Sequence, residues 1–264
     1  MILTNPSVAA LIYKLGNPPR STSSSTRTVP PEAIFTAWLN HHARPFPPGT
    51  GKRLFRLLFP HEGSRRRYGL RETRLATELE DVLAIPGLTR WDAVGSSGVE
   101  GAGCLGHVVQ SALTRRETGI KSGLTLARVD ALLDELAASS TFSQLSQRSQ
   151  EAKSSHDPLA VLHTLYRDSG LSPCAAGALT QIILRDLRPL LAPPPRAHPA
   201  LQLRTTVTAS PAYLTLPAAM KVWDPRMVRA YRAGLGCLDA CADAAETGEV
   251  HCGPVLGVNV DVSC

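Results

Sequence analysis

Lys52, Arg53, Arg56, Arg65, Arg66, Arg67, Arg71 and Arg74 fall within one short stretch of the chain, opposed there only by Glu62 and Glu72. The local excess of six positive charges equals the net charge of the whole 264-residue protein. A guanidinium is a planar fork of donors that matches phosphate oxygens. Concentrated in this way, such groups make a surface for a polyanion. Arg65–Arg67 stand in a loop beside a helix start, where backbone N–H groups add to anion recognition. A solvated basic loop fits the same residues. Glu72 shares a predicted helix face with Leu75 and Leu79, and is expected to be a structural ion-pair partner rather than an acid catalyst.

A second cationic pair follows Ser172-Pro173, a capping residue and a proline suited to the first helical position. The pattern predicts a helix from there to about residue 191, stopped by Pro193-Pro194-Pro195. At 100° per residue, Leu179, Ile182, Ile183, Leu187, Leu190 and Leu191 share one broad face. Gln181, Arg185 and Arg188 share the opposite one. That stripe is either a phosphate-contacting ridge or an ordinary solvated face. Asp186 lands on the apolar side. A buried carboxylate needs a partner, so an ion pair with an arginine of another helix is expected.

Other reactive residues point to less. Cys237 and Cys241 stand one helical turn apart, with His251-Cys252 ten residues on. Four such ligands can hold zinc, but the spacing matches no standard pair-and-pair pattern, and Ala-rich helices often bury lone cysteines. No metal is expected. The Gly-rich segment 95–106 lacks the Gly-Lys-Ser/Thr of a phosphate loop and a preceding strand.

The elements that must position these residues are helical. Hydrophobic residues make up 43% of the chain and aromatics only 5%, so the core is built from Leu, Ala, Val and Ile. Leu and Ala favour helix. Helices are expected over 31–43, 52–59, 70–84, 126–138 (capped by Thr125), 158–167, 173–191 and through 217–245. β character is confined to 203–208, 213–216 and an acidic tail, 250–264. Six irregularly spaced cysteines do not form a secreted disulfide framework, and a reduced cytosolic or nuclear compartment fits them. No segment reaches the ~20 apolar residues of a membrane span. Residues 1–30 are poor in acids and rich in Pro, Ser and Thr. A transit peptide fits that composition, but a disordered tail is the expectation. The resulting division is a tail over 1–30, an all-α domain over 31–245, and a β-like segment over 246–264.

Three segments together resemble a known family. Leu57-Leu58-Phe59-Pro60, followed by Arg67-Tyr68-Gly69-Leu70-Arg71-Glu72-Thr73-Arg74-Leu75-Ala76, resembles the first helical motif of the N-terminal domain of eukaryotic ATP-dependent DNA ligases. The stretch from Leu124 to Ala137 is similar to that family's Thr-capped helix ending in Leu-Asp-x-Leu-Ala. Ile182-Ile183-Leu184-Arg185-Asp186-Leu187-Arg188 is similar to its Ile-Ile-Leu-Lys-Asp-Leu-Arg helix. The motifs occur in the family's order, and the likeness, covering roughly 32–264, is closest to the ligase-four, end-joining type. Met220-Lys221-Val222-Trp223-Asp224-Pro225 resembles that type's fungal branch.

The resemblance implies an irregular multi-helix domain that grips duplex DNA at nicks or ends without sequence preference, in nuclear double-strand-break repair or recombination. It implies DNA contacts from Lys52, Arg65, Arg66, Arg67, Arg71, Arg185 and Arg188, and a repair-scaffold protein as a possible partner. The full-length family uses ATP and Mg, carrying AMP on the lysine of Lys-x-Asp-Gly. None of the five lysines here is followed by x-Asp-Gly. The segment from Gly253 to Val262 resembles the strand that leads into the family's nucleotidyltransferase domain. The expectation is therefore a truncated gene model, an isolated domain or a remnant, without cofactor and inactive alone. The rival expectation is a helical protein-interaction module with no DNA role.

Overall fold

The structure is a computed structural model, which describes residues 5–19, 28–63, 65–91, 104–116, 124–140, 143, 145, 157–191, 213–235 and 237–247. Among these residues the fold is all-α. The helices are α1 (Asn5–Gly16), α2 (Pro31–Asn40), α3 (Thr50–Leu58), α4 (Glu72–Leu83), α5 (Leu105–Thr114) and α6 (Leu126–Ala138). They continue with α7 (Pro158–His163), α8 (Pro173–Ile183), α9 (Arg188–Leu191), α10 (Leu216–Trp223), α11 (Pro225–Ala230) and α12 (Leu238–Thr247). Single π turns, Thr164–Asp168 and Tyr231–Leu235, follow α7 and α11.

Many helices begin where a short polar side chain meets a proline or an apolar run. Thr125 accepts a hydrogen bond from the N–H of Arg128 at the start of α6, and Ser172 from Ala175 at the start of α8. Asp157, Thr215 and Asp224 cap α7, α10 and α11 in the same way, each with proline in the first turn. Such caps satisfy N–H groups that have no partner within the helix.

One helix end departs from what the sequence leads one to expect. The helix from Pro173 stops at Ile183, well short of 191. Arg185 turns left-handed (φ 61°), its N–H bonds Ile182 O, and the N–H of Asp186 bonds Gln181 O. This pair of bonds is the Schellman ending, with arginine where glycine usually stands. Helix α4 ends alike: Ala84 takes φ 49°, its N–H meets Asp81 O, and Ile85 N–H meets Glu80 O. Helix α4 ends where the sequence leads one to expect, but at Arg185, without a glycine, the stop leaves no mark in the sequence. The single stripe expected for Gln181, Arg185 and Arg188 therefore does not exist, and Gln181 is buried.

The amino-terminal reading is corrected too. Residues 5–16 form α1, and its Val8, Ala9, Leu11 and Ile12 are buried against α2, α8 and α9. The Trp38 indole donates to Ser7 O, tying α1 to α2. Helix α5 starts inside the segment expected to be irregular, and packs closely on α8. The expected β segments at 203–208 and 250–264 lie outside the described residues. Of 213–216, Leu216 opens α10, with Thr215 as its cap.

A core rich in leucine and alanine lets helices approach closely. A Cβ added at Gly177 of α8 would stand 2.7 Å from Gly106 O of α5, and one at Gly106 would stand 2.7 Å from Gly177 O. Alanine in place of a mid-helix glycine normally gains about 1 kcal/mol. Here overpacking against a carbonyl, at about 1–3 kcal/mol, opposes it and wins. Gly177→Ala is accordingly expected to lower the urea midpoint of unfolding. An unchanged or raised midpoint would show that the crossing is looser than described.

Candidate nucleic-acid interface

The basic stretch begins on α3, a helix with a sharply divided surface. Leu54, Phe55, Leu57 and Leu58 face the core, while Lys52 and Arg56 lie towards α6 and α12. Carboxylates meet them there. Arg56 Nε and Nη2 donate to the two oxygens of Asp239 at 2.8 and 2.6 Å, and its Nη1 reaches Asp130 at 3.2 Å. Arg66 Nη2 donates to Asp130 Oδ1 at 2.7 Å and to Asp130 O at 2.9 Å, and its Nε donates to Asp134 at 2.6 Å. Arg65 lies 3.6 Å from Asp239, and Lys52 3.0 Å from Asp243.

Asp130 and Asp134 stand one turn apart on α6, and Asp239 and Asp243 one turn apart on α12. Four carboxylates thus oppose four of the basic residues. The excess of six exists along the sequence, but much of it is cancelled in space.

Burial and pairing pull against each other in this network. Burial alone would lower the pKa of Arg56 and Arg66, yet their bonds to Asp239 and Asp134 and the surrounding carboxylates hold both above the ordinary arginine value. Burial pushes the Asp239 carboxyl up, but the Arg56 bond and the charges of Arg56, Lys52 and Arg65 bring it below its ordinary value. The charged forms of Arg56, Arg66 and Asp239 are thus the favoured ones. Arg66 is only 8% exposed, with its guanidinium committed to α6, so the geometry removes it from the candidate surface and makes it a structural residue.

What remains is gathered around the end of α8. The Arg185 side chain crosses to the loop after α3, donating from Nε to Pro60 O at 3.0 Å and from Nη2 to His61 O and Gly63 O at 2.9 and 2.8 Å. Three carbonyls accept from its Nε and Nη2 without neutralising its charge. Burial and then the positive charge of Arg67 push the Arg185 pKa down. Among the described residues, exposed Arg67 and Arg71 make no ion pair, so Arg67 and Arg185 form a positive patch with no carboxylate of its own. Tyr68 is buried, its hydroxyl pushed up to about 12 by burial, and Gly69 takes φ 66°. The motif Arg66-Tyr68-Gly69 thus anchors the loop that presents Arg67.

Arg188 is exposed at the start of α9 and held by Asp186 through Nε and Nη2, both at 2.8 Å. The expected partner of Asp186 on another helix is corrected to its neighbour two residues on. The Arg188 hydrogen bond, with lesser help from its charge and that of His61, lowers the Asp186 pKa against the effect of burial. Glu72 is exposed and makes no ion pair among the described residues, because its position at the first residue of α4 faces solvent. The Met220–Pro225 motif is structural. Met220 is buried, Trp223 stacks on Phe46 at 5.0 Å, and Asp224 caps α11.

Cys241 is buried, its thiol pushed up to about 11 by burial and by Cys237. His251 and Cys252 lie outside the described residues. Among the described residues no cluster of three potential ligands could hold a metal, and no helix is long and apolar enough to cross a membrane.

Sequence reasoning missed the acidic side of the network. The signal was present: aspartates at i and i+4 on α6, and Asp239, Asp243 and Glu246 at i, i+4 and i+7 on α12, all marking single helix faces. Removing one partner from a buried pair costs about 3–5 kcal/mol, so Arg66→Met should destabilise the fold by about that amount in urea. A loss under about 1 kcal/mol would show that solvent shields these carboxylates.

The depressed Asp239 pKa has a defined sign. Its stabilising contribution is complete above the unfolded carboxyl pKa of about 4 and is lost as pH falls through the lower, folded value. Asp239→Asn should flatten the fall of the urea midpoint on acidification below about pH 4, and an unaltered profile would move that dependence to other carboxylates.

Comparison with known proteins places this geometry. The family model described as DNA ligase N terminus matches residues 20–193, the span that holds α2 to α9, the α6 aspartates and the Arg67–Arg185 patch. No curated protein matches the chain. Because the family model covers more than half of the sequence, the chain belongs to the DNA ligase N-terminal family.

Proposed function

We propose that this chain is the duplex-gripping part of an ATP-dependent DNA ligase, binding the sugar–phosphate backbone around nicks or ends without sequence preference. The observation that carries the reading is the Arg67–Arg185 patch. The charge of Arg67 lowers the Arg185 pKa there, neither guanidinium is ion-paired with a carboxylate among the described residues, and Arg185 holds a left-handed backbone that a non-glycine residue adopts only at a cost. Such an arrangement is costly for a monomer and useful against phosphate. Phosphate contacts position a protein on DNA without reading its sequence, and arginine on backbone oxygens fits that role.

The finer assignments rest on the motif resemblance. The ligase-four type and its fungal relatives, double-strand-break end joining in the nucleus, and a repair-scaffold partner are all proposed on that ground. ATP and Mg belong to the full-length family's chemistry. The lysine that carries AMP there sits in Lys-x-Asp-Gly, which these 264 residues do not contain, so the proposed contribution is grip and not nucleotidyl transfer.

A second reading has its own observation. The carboxylates of α6 and α12 cancel much of the basic stretch, as expected of a helical protein-interaction module or a ligase remnant without a DNA role. Salt separates the two. Neutralising a duplex phosphate releases counterions, so the logarithm of affinity falls with the logarithm of salt by about 0.9 per contact. Fluorescence anisotropy with a nicked duplex should show that dependence. Arg67→Ala with Arg71→Ala should reduce the slope by up to about 1.8. Binding that ignores salt, or an unchanged slope in the double variant, would defeat the grip reading in favour of the second.

A further inference from the structure

The loop between α2 and α3 carries an aromatic ring that the duplex grip does not use. Phe46 is half-buried, in a run where Arg44, Pro45, Pro47 and Pro48 are exposed. The Trp223 indole stacks on it at 5.0 Å, with 16° between the planes. The Arg44 guanidinium carbon stands 5.8 Å over the same ring. Both spacings lie within the usual ranges for aromatic and cation–π pairs. Trp223 is itself held: Phe55 meets it edge-on at 6.0 Å, and a Cβ added at Gly51 of α3 would stand 3.0 Å from its Nε1. Thr50 clamps the loop, since its N–H and its hydroxyl both donate to Pro47 O, at 3.1 and 2.6 Å. Prolines have a fixed φ, so Phe46 is presented with little freedom left to lose on binding.

The uncompensated charge on this loop has one sign. Arg53 folds back on it and donates to Pro48 O at 3.3 Å. Among the described residues neither Arg44 nor Arg53 is ion-paired with a carboxylate. Asp224 is engaged by Arg226 at 2.7 Å, and Glu246 by the Gly49 N–H. A ligand suited to this place is flat, to lie on the ring, and anionic, to meet the arginines. A nucleotide has both properties. Every nucleobase offers a π face, so such a contact is indifferent to sequence. A base inside a duplex is stacked on its neighbours and cannot reach the ring, so the base must be unpaired.

We propose that Phe46, backed by Trp223, is a stacking platform for an unpaired base at a DNA strand end, the base taking the place of the Arg44 guanidinium over the ring. The displaced Arg44, with Arg53 on the same loop, then meets the phosphate beside that base. The site extends the nucleic-acid reading but uses neither Arg67 nor Arg185. It senses that a base is unpaired and not which base it is.

The test compares two duplexes by fluorescence anisotropy with the whole chain. One ends in a single-stranded overhang that carries bases, the other in an overhang of abasic sites with the same phosphates. The native chain should bind the first roughly five- to tenfold more tightly. That ratio should hold as salt rises, because stacking releases no counterions. Phe46→Leu should bring the ratio close to one, and Phe46→Tyr should keep it. Free dAMP in excess should leave it intact. If dAMP abolishes it, the platform serves a free nucleotide and the strand-end proposal falls. Equal binding of the two overhangs by the native chain overturns the proposal without recourse to any variant, as does a ratio that survives in Phe46→Leu. Binding of a blunt duplex tests the grip reading separately. A native chain that binds no duplex defeats that reading alone, and single-stranded oligonucleotides with and without bases then decide for or against the platform.

Discussion

The buried pairing of Arg56 and Arg66 with Asp130 and Asp239, extended by half-exposed Asp134, is the constraint on which the rest depends. It joins α3, the loop after it, α6 and α12, elements far apart along the chain. Charges withdrawn from water are tolerable only when each finds a partner of good geometry. That requirement is directional where apolar packing is not. Leucines and alanines can pack α3 on α6 in several registers, whereas the Arg66 fork reaches both Asp130 and Asp134 only in one.

The same network decides which cations are left over. Because Arg66 is drawn inward and Tyr68 is buried beside it, the residue between them is turned out to solvent. Arg185 reaches the loop from the opposite side and fixes Pro60, His61 and Gly63 through their carbonyls. The charge of an arginine bound to carbonyls is left uncompensated, while that of one bound to carboxylates is balanced by theirs. The distinction divides a run of similar basic residues into a structural group and an uncompensated one, and the proposed grip belongs to the second.

Arg185 also shows how local strain and function can share a residue. Its left-handed backbone ends α8, and the turn sends its side chain towards the loop after α3. A left-handed residue with a Cβ costs on the order of 1 kcal/mol, which the Schellman bonds and three carbonyl contacts offset. Continuing the helix would have put Arg185 and Arg188 on a common face and left the loop after α3 without this anchor.

The sequence alone determined the helical class, the caps at Thr125 and Ser172, and the apolar faces of α4 and α6, because each is written in neighbours a few residues apart. The family motifs were legible for the same reason. It misjudged α1, since a short apolar patch in a polar stretch looks unable to bury itself until α2 and α8 are there to receive it. It overran α8, since the stop falls on an arginine. It summed the charge of residues 52–74 correctly but could not subtract Asp130, Asp134, Asp239 and Asp243, which lie some 55 to 190 positions away along the chain. Net charge is a property of composition. Which charge stays exposed and unpaired depends on distances between helices, and only the tertiary structure sets those.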